Sequence, residues 1–180
     1  MGLGIWYYSK AIEFVGDDPY DYVDHACNPV VFKYQLGSFI LDKIYTRSED
    51  SIEGSFNAGS YSGYNTWRNQ LAIMAGYDSA DEVFKSFDSE SRLLKLKKLN
   101  GDEVKMKPFY ELIYFSDCEG IIGPEICKKL YQDFVDFDNK AKTYSKANYD
   151  SYRNTYFYDK YLEWKDAFEV ASDNGLVSFH

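Results

Sequence analysis

Tyr149-Asp-Ser-Tyr-Arg-Asn-Thr-Tyr-Phe-Tyr-Asp-Lys-Tyr-Leu-Glu-Trp-Lys-Asp-Ala-Phe-Glu-Val-Ala-Ser172 is the stretch that decides the fold class. Tyr149, Tyr152, Tyr156, Tyr161, Trp164, Phe168 and Ala171 recur at the spacing of one helical face. Asn174-Gly175 supplies the stop. The pattern predicts a long helix from about Asn148 to Ser172, its aromatic stripe turned to a core.

Upstream, the same period returns. Pro124 opens a helix carrying Ile126, Leu130, Phe134 and Phe137 on one stripe. Pro108 suits the first turn of a helix through about Phe115. Ser79-Ala-Asp-Glu82 is a capping box for a short helix through Phe84. Ser62 reads as the N-cap of a helix carrying Tyr64, Trp67, Leu71 and Met74, with Gly76 as its stop. Val31, Phe32, Leu36, Phe39, Ile40 and Ile44 have an ambiguous period, read here as a helix from about Lys33 to about Thr46. Strand signals are fewer. Leu3 to Tyr8 is β-branched and aromatic, and Leu93 to Met106 alternates around Asn100-Gly101 as a hairpin does. Gly16 to Pro29 and Ser48 to Ser60 read as loops. The balance is α+β, mainly α: a helical domain with a small antiparallel β component. Without repeat, linker or low-complexity tract, 1–180 reads as a single domain.

Composition narrows the partners. Lys plus Arg is 20 and Asp plus Glu is 29, a formal net charge of -9. Such a chain is repelled by nucleic acid and by anionic lipid. The one basic run, Lys95, Lys97, Lys98, Lys105 and Lys107, suits the solubilising of an edge strand. No segment approaches the roughly 18 apolar residues of a membrane span. The start lacks a basic n-region, and Trp6 stands where a myristoylation motif needs Ser or Thr. The expectation is therefore no nucleic-acid partner and no membrane. Cys27, Cys118 and Cys127 are odd in number and scattered, which points to a reducing, cytoplasmic compartment. His25 and Cys27 find no zinc-ligand pairing, so neither a metal nor a cofactor is expected. A homo-oligomer stays open. Aromatics reach 19%, with 18 Tyr. That is more hydroxyls than a core of this size can partner, so some rings should line a concave or interfacial surface.

Two segments carry the chemistry. In Phe56-Asn-Ala-Gly-Ser-Tyr-Ser-Gly-Tyr-Asn-Thr-Trp-Arg68 a Gly/Ser loop runs into a helix start, whose free N–H groups can hold an anion. Ser60, Ser62 and Gly63 sit at that start, and Arg68 can meet a carboxylate or phosphate in fork geometry. Tyr61, Tyr64 and Trp67 can stack on a base or a sugar. The bland alternative is a capped helix with Tyr64 and Trp67 in the core and Arg68 paired to an acid. In Pro108-Phe-Tyr-Glu-Leu-Ile-Tyr-Phe-Ser-Asp-Cys-Glu-Gly-Ile-Ile-Gly123 a helix runs into an acidic loop. Beside Ser116 in that loop, Asp117 and Glu119 can accept ligand hydroxyls, bind a divalent ion or act as an acid/base pair, with Glu111 joining them. The bland alternative is that Asp117 caps a turn and Glu119 is solvated. Cys118 beside two acids is a poor thiolate. His25 lies in an acidic loop and His180 at the frayed end of the chain, so no catalytic triad is expected.

Gly59-Ser-Tyr-Ser-Gly-Tyr-Asn-x-Trp-Arg68, Ser116-Asp-Cys-Glu-Gly-x-Ile-Gly123, and Trp164, Ala167-Phe168, Asn174-Gly175 and Phe179-His180 together resemble a family of uncharacterised bacterial and phage proteins. The resemblance covers roughly the last two thirds of the chain. It implies a bacterial or phage cytoplasmic protein with a shared site built from these loops, and no particular reaction. Small phage proteins that sequester nucleotide-derived immune signals are of similar size and lack catalytic apparatus, although none of their motifs is matched here.

The leading expectation is a non-catalytic protein that binds a small polar, anionic, nucleotide- or sugar-like molecule. Its site residues are Ser60, Tyr61, Ser62, Gly63, Tyr64, Trp67, Arg68, Glu111, Ser116, Asp117 and Glu119. The alternatives are a carboxylate- or metal-dependent hydrolase using Asp117 and Glu119, and an acidic protein-interaction or inhibitor module.

Overall fold

The computed structural model describes residues 2–14, 35–36, 45–85, 108–115, 117–118, 120–148 and 155–180. Its strands are β1 (Gly2–Tyr8), β2 (Ala11–Glu13), β3 (Gln35–Leu36), β4 (Tyr45–Arg47), β5 (Glu53–Ser60), β6 (Gly120–Ile122) and β7 (Leu176–Phe179). Its helices are α1 (Tyr61–Ala75), α2 (Ala80–Lys85), α3 (Tyr110–Tyr114), α4 (Pro124–Asp136), α5 (Asp138–Ala147) and α6 (Thr155–Ala171). The class is α+β, mainly α, as the periodicity predicts.

The main sheet has the order β3-β6-β7-β1-β5, and β2 pairs with β4 in a separate ribbon. β1 pairs antiparallel with β5 and with β7, β6 pairs antiparallel with β7, and among the described strands only β3 with β6 is parallel. Alternation along β1 turns Leu3 and Ile5 inward, where α1, α4 and α6 cover them with one apolar cluster. On the other face Tyr8, Ile121 and Leu176 form a small cluster covered by Ala11 and Tyr45 of the ribbon. Gly175 permits the close approach that joins α6 to β7. A Cβ there would stand 1.9 Å from the Tyr8 carbonyl oxygen.

In α6 the buried stripe is Phe157, Tyr161, Trp164, Phe168 and Ala171. Aromatic residues lose only some tenths of a kcal/mol in helix propensity. Burying such a ring gains about 1.5–3 kcal/mol, so packing decides the helix. Trp164 is the hub. Phe56, Tyr64, Trp67, Phe168 and Phe179 surround it at ring-centroid distances of 5.0–5.8 Å. The stripe differs from the expected one at its start: Tyr156 is exposed and Phe157 takes the inward position.

Other expectations need correction. Lys33 to Thr46 is not one helix, since Gln35–Leu36 and Tyr45–Arg47 are strands. An apolar run of ambiguous period takes the structure its neighbours offer, here pairing with β6 and β2. Ser48 to Ser60 is not all loop, because β5 occupies Glu53–Ser60. Its Gly, Ser and Asn content hides a strand that pairing with β1 imposes. Ala58 is the extra residue of a bulge, lying between the pairs Asn57–Gly4 and Gly59–Leu3. Strands β6 and β7 and helix α5 were not expected, and Asn148 is the C-cap of α5. The acidic loop 16–29 and the hairpin 93–106 lie outside the described residues.

Candidate functional site

Strand β5 runs directly into α1, and Ser60 is the hinge. It is extended (φ -65°, ψ 158°), and its Oγ accepts from the Gly63 N–H at 3.1 Å. Ser60, not Ser62, is therefore the N-cap. Ser62 lies in the first turn, with its Oγ 3.1 Å from that of Ser60. At the other end Gly76 caps α1 in the left-handed conformation (φ 108°), as the sequence predicts.

The helical period then fixes which α1 residues can meet a ligand. Tyr64, Trp67, Arg68 and Leu71 follow i, i+3, i+4, i+7, the spacing of the core stripe. All four are buried. Trp67 stacks on Trp164 at 5.7 Å and its Nε1–H donates to the Phe157 carbonyl at 3.1 Å. Tyr64 packs against both rings, 6.1 Å from Trp67 and 5.7 Å from Trp164. The stacking role expected for Tyr64 and Trp67 is corrected on this ground: packing occupies both rings. Burial also pushes the Tyr64 phenol up to about 12. Tyr61 keeps 36% of its surface, and Ser60, Ser62 and Gly63 are exposed.

Arg68 is 5% exposed. Its Nη1 donates to the Phe115 carbonyl at 2.6 Å, and its Nη2 to Asn65 Oδ1. The guanidinium lies between the rings of Tyr64 (5.1 Å) and Phe84 (4.8 Å). Asn65 passes the connection on, its Nδ2 donating to Asp117 Oδ2 at 2.8 Å. Arg68 Nη2 stands 4.0 Å from the same carboxylate oxygen. The two segments singled out in the sequence thus meet, through Asn65, which was not among the expected site residues. Its signal was its place three residues before Arg68, on the same side of the helix. Arg68 Nε and the Tyr64 hydroxyl are buried without a hydrogen-bond partner among the described residues. The Asp117 side chain is 41% exposed. The expected anion clamp at Arg68 is corrected too: the guanidinium faces inward and holds Asn65 and the end of α3.

Glu111 does not join Asp117. It is buried 2.6 Å from Lys129 Nζ, which also reaches Asp133 at 2.7 Å. Burial pushes the Glu111 carboxyl up, against the pull of Lys129. Ser116 and Glu119 lie outside the described residues, so the acid/base pair of Asp117 with Glu119 does too. Among the described residues no group of three His, Cys, Asp or Glu is placed to hold a metal ion. No described helix is long and apolar enough to cross a membrane.

Comparison with protein families, curated proteins and solved structures finds no match to this chain.

Proposed function

We propose that this chain binds a small polar molecule, sugar- or nucleotide-like, at the rim where α1 begins, without transforming it there. The observation that carries this is the 2.8 Å bond between Asn65 and Asp117. It joins two polar segments and leaves a half-exposed carboxylate beside the exposed start of a helix. Arg68 is the positioning residue beneath. Asp117 accepts ligand hydroxyl or amino protons. The Ser60 and Ser62 hydroxyls and the first-turn N–H groups of α1 face a phosphate or further hydroxyls. Tyr61 offers the exposed ring edge. With Arg68 buried, the ligand's charge meets only the helix terminus, which favours neutral polyhydroxyl groups over a polyphosphate.

A thermal-shift panel of monosaccharides, mononucleotides and cyclic oligonucleotides tests the proposal. At least one compound is expected to raise the melting temperature in a saturable way. Asp117→Asn and Tyr61→Ala should weaken that compound about tenfold or more, roughly the 1.4 kcal/mol of one good polar contact. A panel without any shift, or a shift unchanged in Asp117→Asn, overturns the reading.

A further inference from the structure

Two neighbouring helix faces carry opposite charge that the fold does not use. α5 and α6 lie side by side in opposite senses. Asp138, at the start of α5, accepts from Lys165 Nζ at 3.2 Å and from the Tyr158 hydroxyl at 3.3 Å. Tyr144, further along α5, meets the Phe157 ring edge-on at 5.1 Å. α4 continues the same flank of α6, where the Tyr161 hydroxyl donates to the Phe134 carbonyl and the Tyr131 hydroxyl to Glu169.

On α5 the helical period turns Ala141 inward and leaves Asn139, Lys142, Thr143 and Lys146 exposed. Lys142 and Lys146 are one turn apart. The ion pairs around these helices belong to Lys129, Lys160 and Lys165, which leaves Lys142 and Lys146 without a carboxylate among the described residues. On α6 Asp159, Leu162, Asp166 and Glu169 follow i, i+3, i+7, i+10, and all four are exposed. An apolar centre accompanies the charges. Leu162 keeps 42% of its surface, and Val135 keeps 41%. Val135 is one turn beyond Tyr131, and Leu162 is two turns before Glu169. The Tyr131–Glu169 bond therefore puts both on one side of the α4–α6 seam.

A surface that binds its own copy about a two-fold axis must be complementary to itself, so it needs both signs side by side. A polyanion laid on the lysines would also meet the α6 acids, and a polycation on the acids would meet the lysines. A second copy matches both at once. The net charge of -9 opposes association at long range, yet salt screens exposed charges beyond about 8 Å, so the close pairs decide.

We propose that a second copy of this chain docks on the outer face of α5 and α6, about a two-fold axis beside Leu162. Lys142 and Lys146 of each copy meet Asp159 and Glu169 of the other, around a centre of Leu162 and Val135. This inference goes beyond the rim-binding reading and is independent of it.

Sedimentation of the full chain at about 0.15 M salt, from about 1 μM to about 300 μM, tests it. The mass should rise from 20.9 kDa towards twice that value. Lys142→Glu/Lys146→Glu should weaken self-association roughly a hundredfold or more, because like charges then face each other. Asp159→Lys/Glu169→Lys should do the same, and so should Leu162→Asp at the centre. The two charge-reversed variants, mixed, should recover a heterodimer of about wild-type strength, since each reversed group then meets its opposite. Melting curves check that every variant is folded. A wild type that stays monomeric throughout overturns the proposal, as do a dimer untouched by either reversal and a mixture that stays monomeric. So does a monomeric wild type held on heparin or polylysine beads and released by the matching reversal, which assigns the face to a polyanion or a polycation.

Discussion

Arg68 and Tyr64 are one turn apart, and the Arg68 Nη atoms differ in standing from the Tyr64 hydroxyl. Two of the Arg68 nitrogens are engaged, by the Phe115 carbonyl and the Asn65 amide. Removing the guanidinium leaves the Phe115 carbonyl unpartnered in the interior, at a cost of about 1–3 kcal/mol, and also removes the charge-assisted bond to the half-buried Asn65 amide and the packing of the arginine stem. Arg68→Ala should therefore lower the unfolding free energy by about 3 kcal/mol or more in urea titrations. Arg68→Lys should recover part of it, since an ammonium can reach one acceptor but not span both. The Tyr64 hydroxyl has no partner among the described residues. Tyr64→Phe should then be neutral or stabilising by up to about 1 kcal/mol. A loss above 1 kcal/mol would reveal a partner for that hydroxyl. At this scale the sequence was legible only in part. It singled out the segments of Arg68 and Asp117, which the fold brings together through Asn65. Arg68 falls on the stripe of Tyr64, Trp67 and Leu71 by period alone, but its charge reads as solvent-facing wherever the helix starts.

That start is a property of the element. A cap at Ser62 and a cap at Ser60 predict different responses to the same mild change. With Ser60 Oγ accepting from Gly63 N–H, Ser60→Ala should cost about 1 kcal/mol. Ser62→Ala should stay within about 0.5 kcal/mol, as an exposed first-turn position does. Equal losses at the two sites, measured by thermal melting, would refute the assignment. Elements with strong periodicity were read correctly from the sequence. Thus α1 carries its stripe and ends at Gly76, α4 opens at Pro124, and β1 lies where its β-branched and aromatic run puts it. The short strands were not legible for a physical reason. β6 is three residues long and β7 four. Neither has room for a period: β7 exists because β1 offers an edge to pair with, and β6 because β7 does. β5 shows the same effect at greater length, since Glu, Gly, Ser and Asn form a strand there only against β1. His180, read as a frayed end, is docked for the same reason: β7 brings its N–H within 2.9 Å of the Gly4 carbonyl.

Across the whole molecule the charge balance reaches stability through a buried set joining α3 to α4. Glu111 and Asp133 share the Lys129 ammonium, and Asp133 also accepts from the Phe109 N–H at 2.7 Å. The Tyr77 hydroxyl donates nearby, to the Pro108 carbonyl. Burial raises Glu111 above its usual 4.5 and Asp133 above its usual 3.8, and Lys129 opposes the shift in each case. The unfolded chain ionises both acids at their ordinary values. Between those values and the raised ones, the folded protein binds more protons than the unfolded one. Stability is then fully present below about pH 4 and is lost as pH rises through the folded values. His180 acts with the opposite sign. Its value is lowered by burial, so it subtracts stability as pH falls below its usual 6.5. The remaining carboxylates add their own slopes, so the informative quantity is a difference between two curves. Urea midpoints of the wild type and of Glu111→Gln/Asp133→Asn, taken from pH 4 to pH 7, should converge at the acid end. They should separate as pH rises, with the wild type falling relative to the variant. Parallel curves would mean that the two carboxyls ionise alike in the folded and unfolded chains, and that Lys129 offsets the whole cost of burying them.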